Sequence, residues 1–306
     1  MIELKYQWNK NSGGYMFLRT IQKISYSACL WLILVTHAQP KTILFDFGDT
    51  LAHPNHFSMV YNMGREPIQD FLGYIFVDMC DPRNIEKKTF DYLFLLQTRS
   101  VCPHTIDTRT TKGRIMPPIM RDWLAGIITG EEIYKKAVQY SKFINKRYFT
   151  SSREKKLVLK TIESMFHPRS LAHIFYPIDE AVALLEELSV RRDVTGTQEY
   201  TLMICSNMDS LTFDILYSMQ RLQKLFSYFK PENIIISADY RNIKPEKNFF
   251  EAVLKKYNLN PQDCVLIDDR KENVDSARAC HMKAIRVKDK NYSSVRKQLQ
   301  ILKILS

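Results

Sequence analysis

Thr42-Ile43-Leu44-Phe45-Asp46-Phe47-Gly48-Asp49-Thr50-Leu51 is the stretch on which the fold turns. A short apolar run ends in a carboxylate and gives way at once to turn-forming residues. Open parallel sheets present reactive side chains in this way, because ligands gather beyond the carboxyl ends of their strands. Taken alone, such an Asp also reads as a turn or helix-cap residue. Three later stretches repeat the layout. Thr201-Leu202-Met203-Ile204-Cys205 ends in Ser206-Asn207. Ile234-Ile235-Ile236-Ser237 leads to Lys244-Pro245, with Pro placed to start a helix through Phe249-Phe250-Glu251. Cys264-Val265-Leu266-Ile267 ends in Asp268-Asp269, with Asn273 and Ala277 on the helix that follows. In a parallel sheet these four strand ends lie along one side and converge.

The series resembles the haloacid dehalogenase-like hydrolase superfamily, whose four motifs are a DxDx[TV] strand end, a strand ending in Ser or Thr, a Lys, and a DD-type strand end. Here they read Asp46-Phe-Gly-Asp-Thr50, Ser206-Asn207, Lys244-Pro245 and Asp268-Asp269-Arg-Lys-Glu-Asn273. The resemblance runs in order from about Lys41 to Val287. It implies an α/β fold, a three-layer Rossmann-like parallel sheet core with an inserted all-helical cap domain. Such a fold places a 1–40 extension before a core of residues 41–53 and 175–306, with a cap over 54–174.

A phosphate monoester is a dianion, and a carboxylate attacking it must overcome charge repulsion. Carboxylates near Asp46 can hold Mg²⁺, a hard cation that prefers oxygen ligands and neutralises nucleophile and phosphate together. Ser206 and the backbone N–H groups around Asp46 and Asn207 suit the remaining phosphate oxygens, and Lys244 supplies a positive charge. Asp46 would form an acyl-phosphate that water then hydrolyses. The resemblance implies that Gly48 offers its carbonyl to the metal, that Asp269 is a direct ligand, and that Asp268 supports it or shares the ion. The expected partner is a small phosphorylated substrate. The scheme requires Asp46 to lie within about 10 Å of Asp269 and Lys244, the range of direct charge compensation.

One position departs from the pattern. The family's phosphatases usually carry a second Asp two residues after the nucleophile, as leaving-group acid; here it is Gly48. Asp49 and His53 are candidates for that acid/base or for substrate contact, with His56 beyond them. Gly48 also keeps two other readings open: a metal-independent haloacid dehalogenase, and a catalytically weakened relative that binds ligands or partners in a regulatory role. The adjacent Asp268 and Asp269 favour a metal, since two acids at a buried strand end repel without a cation or donors. Helix capping by one of them is the bland alternative.

Ser206 lies 160 positions after Asp46, far more than a crossover needs. Segments near 66–79, 84–97, 119–128, 131–148 and 152–166 read helical. Thr129-Gly-Glu-Glu132 and Ser151-Ser-Arg-Glu154 have capping-box spacing, and a Thr/Pro-rich loop covers roughly 101–118. Within this insert Arg114, Arg121 and Trp123 are candidate substrate contacts, although Trp123 at helical spacing suits a core position. The 306-residue chain carries 44 Lys and Arg against 33 Asp and Glu, a net charge of +11. Nine of those basic residues fall within 131–160. No aromatic-basic strand motif or zinc spacing accompanies them, so nucleic-acid binding is not expected. A solvated helical face that steers anionic substrates is.

Near the N-terminus, Arg19 and Lys23 precede the apolar run Ile24–Val35 and an Ala38-ending A-x-A-like site, the layout of an export signal. Residues 16–38 acting as a signal would make the protein exported or anchored, with this segment its only membrane contact; otherwise it is cytoplasmic. The cysteines lean towards the latter. Removing Cys29 leaves Cys80, Cys102, Cys205, Cys264 and Cys280, an odd set with two in core strands, which reads as reduced, buried thiols.

Overall fold

A computed structural model describes residues 41–55, 65–78, 81, 83–96, 115–145 and 147–305. The N-terminal segment through residue 40, His56, Arg114, Cys80, Cys102 and most of the Thr/Pro-rich loop lie outside the described residues. Among those described, no helix is long and apolar enough to cross a membrane.

The chain opens with β1 (Thr42–Phe45) and β2 (Ala52–Pro54) and, after the helical insert, continues through β3 (Phe175–Pro177), β4 (Thr201–Ser206), β5 (Ile234–Ile236), β6 (Cys264–Asp268) and β7 (Lys283–Arg286). Five of these form one parallel sheet in the order β5-β4-β1-β6-β7. Their near-continuous apolar runs are what a sheet covered on both faces demands. Successive side chains alternate between faces. Ile43 and Phe45 join one apolar cluster with helices Asp179–Ser189, Ser210–Ser218 and Tyr292–Ile301. Leu44 joins another with helices Lys247–Lys256 and Lys271–Ala279. The result is three layers.

β1 sits where the strand order reverses, with β4 and β5 on one side and β6 and β7 on the other. Crevices open at such switch points. The register sets Phe45 level with Ile204 and Ile267, so Asp46, Ser206 and Asp268 emerge at the same carboxyl end.

Helices Arg65–Phe76, Arg83–Phe94, Pro118–Leu124, Gly130–Phe143, Ser152–Phe166 and the short Pro168–Ala172 fill the long insert. They have their own apolar cluster, which includes Tyr92, Ile119, Trp123, Ile162 and Phe166. Trp123 meets Phe166 edge-on at 5.0 Å, the core position its spacing suits. β2 and β3 pair antiparallel at the two ends of this insert. Thr129 caps its helix reciprocally with Glu132. At the second capping box Ser151 Oγ accepts from Glu154 N–H, but the Glu154 carboxylate takes the Thr150 N–H instead. Pro245 does not start the helix it precedes: that helix begins at Lys247. His281, where a helix ends, has φ 63°, a left-handed conformation that His tolerates better than most residues.

Candidate active site

The four strand ends meet. Lys244, fully buried, donates from Nζ to Asp46 Oδ1 at 2.7 Å, to Asp268 Oδ2 at 2.7 Å and to the Cys205 carbonyl at 2.6 Å. Ligand atoms of Asp46, Asp268 and Asp269 all lie within 4.8 Å of one another. Asp46 is therefore well inside the distance that charge compensation requires.

Local folding explains each placement. Asp46 N–H continues the β1–β6 ladder to the Ile267 carbonyl. The turn after it closes through Leu51 N–H and Ala52 N–H, both onto the Phe47 carbonyl. Asp49 takes φ 53° there, a left-handed conformation that Asp adopts more readily than most residues. Lys244 is held through its backbone, because the Asn207 side chain accepts from its N–H (2.8 Å) and donates to its carbonyl (2.7 Å).

Asp268 and Asp269 are adjacent in sequence and opposite in environment. Asp268 accepts from Lys244, from Asn273 Nδ2 at 2.9 Å and from Arg270 N–H at 2.9 Å. Asp269 has no donor to its carboxylate among the described residues; only its backbone carbonyl accepts, from Arg286 Nε. Burial, then the charges of Asp46, Asp268 and Asp49, push the Asp269 carboxyl up to about 8. Burial also raises Asp46, to about 6, against the pull of Lys244. The lysine is held protonated: burial opposes its charge, but Asp268 and Asp46 outweigh it.

A cavity of about 270 Å³ opens over these groups. Asp46, Gly48, Asp49, Ser206, Asn207, Lys244 and Asp269 all line it, with Leu124 from the helical insert. Asp268 does not; it is fully buried. His53 is not among the lining residues. It lies in β2 opposite Tyr176, with Nδ1 buried and without a hydrogen-bond partner among the described residues. Arg121 is likewise absent from the lining and is instead paired with Glu246. Arg270 lines the cavity with Nη2 unpartnered, and nothing in the sequence pattern marked it. A larger cavity, about 530 Å³, is lined by Trp123, Tyr134 and Leu211 among others and contains none of the converging groups.

The acidic trio fits a hard divalent cation. Three carboxyl groups, two buried and Asp269 half-buried, face one ammonium, an excess of two acids over the cation, and the donor-free Asp269 carries the consequence in its raised value. Cys205, Cys264 and Cys280 are free and buried, and burial pushes the thiols up, Cys205 to about 12, so none of these three competes as a thiolate ligand or nucleophile.

Solved structures similar to this chain include a haloacid dehalogenase-family enzyme from Bacteroides thetaiotaomicron, at 15% identity over 84% of this chain and 98% of that one, with TM-score 0.49. That enzyme has been crystallised with magnesium and inorganic phosphate. A haloacid dehalogenase-like family hydrolase from Porphyromonas gingivalis matches at 16% identity, covering 86% and 98%, with TM-score 0.48. The L-2-haloacid dehalogenase of Xanthobacter autotrophicus matches at 13%, covering 87% and 84%, with TM-score 0.43. No protein of curated function matches. The family model for haloacid dehalogenase-like hydrolases matches residues 106–287, more than half of the chain, and on that ground this protein belongs to the haloacid dehalogenase-like hydrolases.

Proposed function

We propose that the protein is a magnesium-dependent phosphohydrolase acting on a small phosphorylated metabolite through an aspartyl-phosphate on Asp46. The observation that carries this reading is the cluster of Asp46, Asp268 and the half-buried Asp269 beside one lysine, two acids in excess of the cation. Asp46, Asp269 and the Gly48 carbonyl would hold the ion, with Asp268 fixing Lys244 and Asn273 behind them. When bound, Mg²⁺ supplies charge neutralisation between the nucleophile and the phosphate.

The chain's own groups do the rest. Asp46 attacks phosphorus; Ser206 Oγ and the backbone around Asn207 hold phosphate oxygens; Lys244 balances the charge that builds on them. Water then hydrolyses the acyl-phosphate. Asp49 is the remaining carboxyl on the cavity wall outside the trio, and it serves as the acid for the leaving oxygen. The helical insert acts as a cap, with Leu124 reaching the cavity wall and excluding water.

Turnover of an aryl phosphate with Mg²⁺, lost in Asp46→Asn and on chelation, tests the proposal. Gly48 favours a second reading, a metal-independent dehalogenase: release of halide from 2-haloacids, indifferent to chelator, would replace the first. Failure on both substrate panels would leave a binding role.

A further inference from the structure

Helix Pro118–Leu124 of the insert meets the carboxyl end of the sheet through an ion pair. Arg121 donates from Nε to Glu246 Oε1 at 2.8 Å and from Nη2 to Oε2 at 2.9 Å, the fork-on-carboxylate geometry that is strongest for this pair. The two side chains are 14% and 9% exposed, so the pair is largely out of water. Glu246 lies two residues beyond Lys244. Every residue of this short segment is tied down: Ile243 N–H donates to Glu246 Oε2 at 3.3 Å, Lys244 is clasped by Asn207, and the Pro245 carbonyl accepts from Ser276 Oγ at 2.6 Å. One of these ties is internal to the segment, two come from the core, and the Arg121 tie comes from the insert. The same helix is anchored at its far end, where Ser237 Oγ donates to the Leu124 carbonyl at 2.6 Å. Between the anchors Met116, Ala125 and Ile243 form a small apolar cluster.

We infer that Arg121 and Glu246 are positioning residues that set the loop carrying Lys244, so that seating of the helical insert and placement of the lysine charge are fixed together. The kinetic part of this inference rests on the phosphohydrolase reading; the structural part does not. Lys244 has no slack, since its three acceptors lie at 2.6 to 2.7 Å. Removing Arg121 takes the counter-charge from a carboxylate that is 9% exposed, and Glu246 would turn towards water and take the backbone of 243–246 with it. A displacement of about 1 Å at a reacting group is worth roughly 100-fold in rate. Neither residue lines the cavity, so the loss falls on turnover rather than on substrate affinity.

The test is a double-mutant cycle read in two ways. Arg121→Ala and Glu246→Ala should each lower kcat roughly 10- to 100-fold with KM within about threefold. The double variant should be no slower than the slower single, and Arg121→Lys should recover part of the loss. Independently of activity, amide hydrogen exchange at Ile243 and Lys244 should quicken about tenfold or more in Arg121→Ala while β1 and β6 stay protected. Additive losses, a rise in KM at constant kcat, or unchanged exchange at Lys244 would each overturn the inference. If Arg121→Ala does not fold, Glu246→Gln and Arg121→Lys carry the same comparison. Altered exchange in a protein that turns over no phosphate ester would uphold the interlock and reject the phosphohydrolase reading.

Discussion

The carboxyl end of the sheet and the helical insert are built by opposite means. At the sheet, polar groups are buried on one another: Lys244 among Asp46, Asp268 and the Cys205 carbonyl, Asn207 around the lysine backbone, Asn273 on Asp268. In the insert, Tyr92, Ile119, Ile162 and Phe166 fill the interior, and polar groups close helix ends, as Thr129 and Glu132 do. A charged network cannot shift without stranding a buried charge, whereas an apolar set repacks at modest cost. Substitutions at the sheet should therefore change chemistry abruptly, and those inside the helices should change stability gradually.

The sharpest trial of that contrast is Asp46→Asn. It should lower kcat by roughly four to six orders of magnitude, as loss of a covalent nucleophile does, with the fold intact by circular dichroism. Appreciable residual turnover would take Asp46 out of the reaction. Next is Asp49→Asn, expected to cost roughly 10²- to 10⁴-fold on alkyl phosphates, whose leaving alkoxide needs a proton, and little on an aryl phosphate. Equal losses on both would remove Asp49 as the donor. Gly48→Asp is the converse experiment and should raise alkyl phosphate turnover. A Cβ there meets only Phe175 Cε1, at 4.0 Å, so the backbone has room for a side chain to start.

A smaller effect concerns pH. Burial and its acidic neighbours lift Asp269 to about 8 in the folded protein, above the ordinary value near 4. Its contribution to metal-free stability is then fully present below about pH 4 and lost as pH rises through about 8. Mg²⁺ must displace that proton, so its binding should tighten about tenfold per pH unit between pH 6 and 8. Thermal shifts with and without Mg²⁺ measure this, and Asp269→Asn should flatten the slope. The smallest effect belongs to the helices. Thr129→Ala removes a reciprocal cap and should cost about 1 kcal/mol of stability with kcat unchanged. A large loss of turnover there would break the contrast.

The strand ends were legible because an apolar run closing on a polar residue is a local pattern. Asp46, Ser206 and Asp269 carry it, Lys244 follows its strand by a loop, and all four line one cavity. The insert's helices were legible from periodicity. What escaped depends on partners remote in sequence. β2 and β3 are three residues each and exist by pairing across the whole insert. Glu246 reads as an ordinary surface charge until Arg121, 125 positions earlier, is laid against it. The setting of His53 was hidden for the same reason, since its pairing partner Tyr176 comes from the returning chain.

That returning chain has a consequence of its own. Asn55 N–H donates to the Ile174 carbonyl at 2.7 Å, so the path into the helices and the path back are one hydrogen bond apart. A junction this narrow works as a socket. The intervening hundred-odd residues can be exchanged for a different module without altering the register of the strands, provided the newcomer again holds Glu246 as Arg121 does.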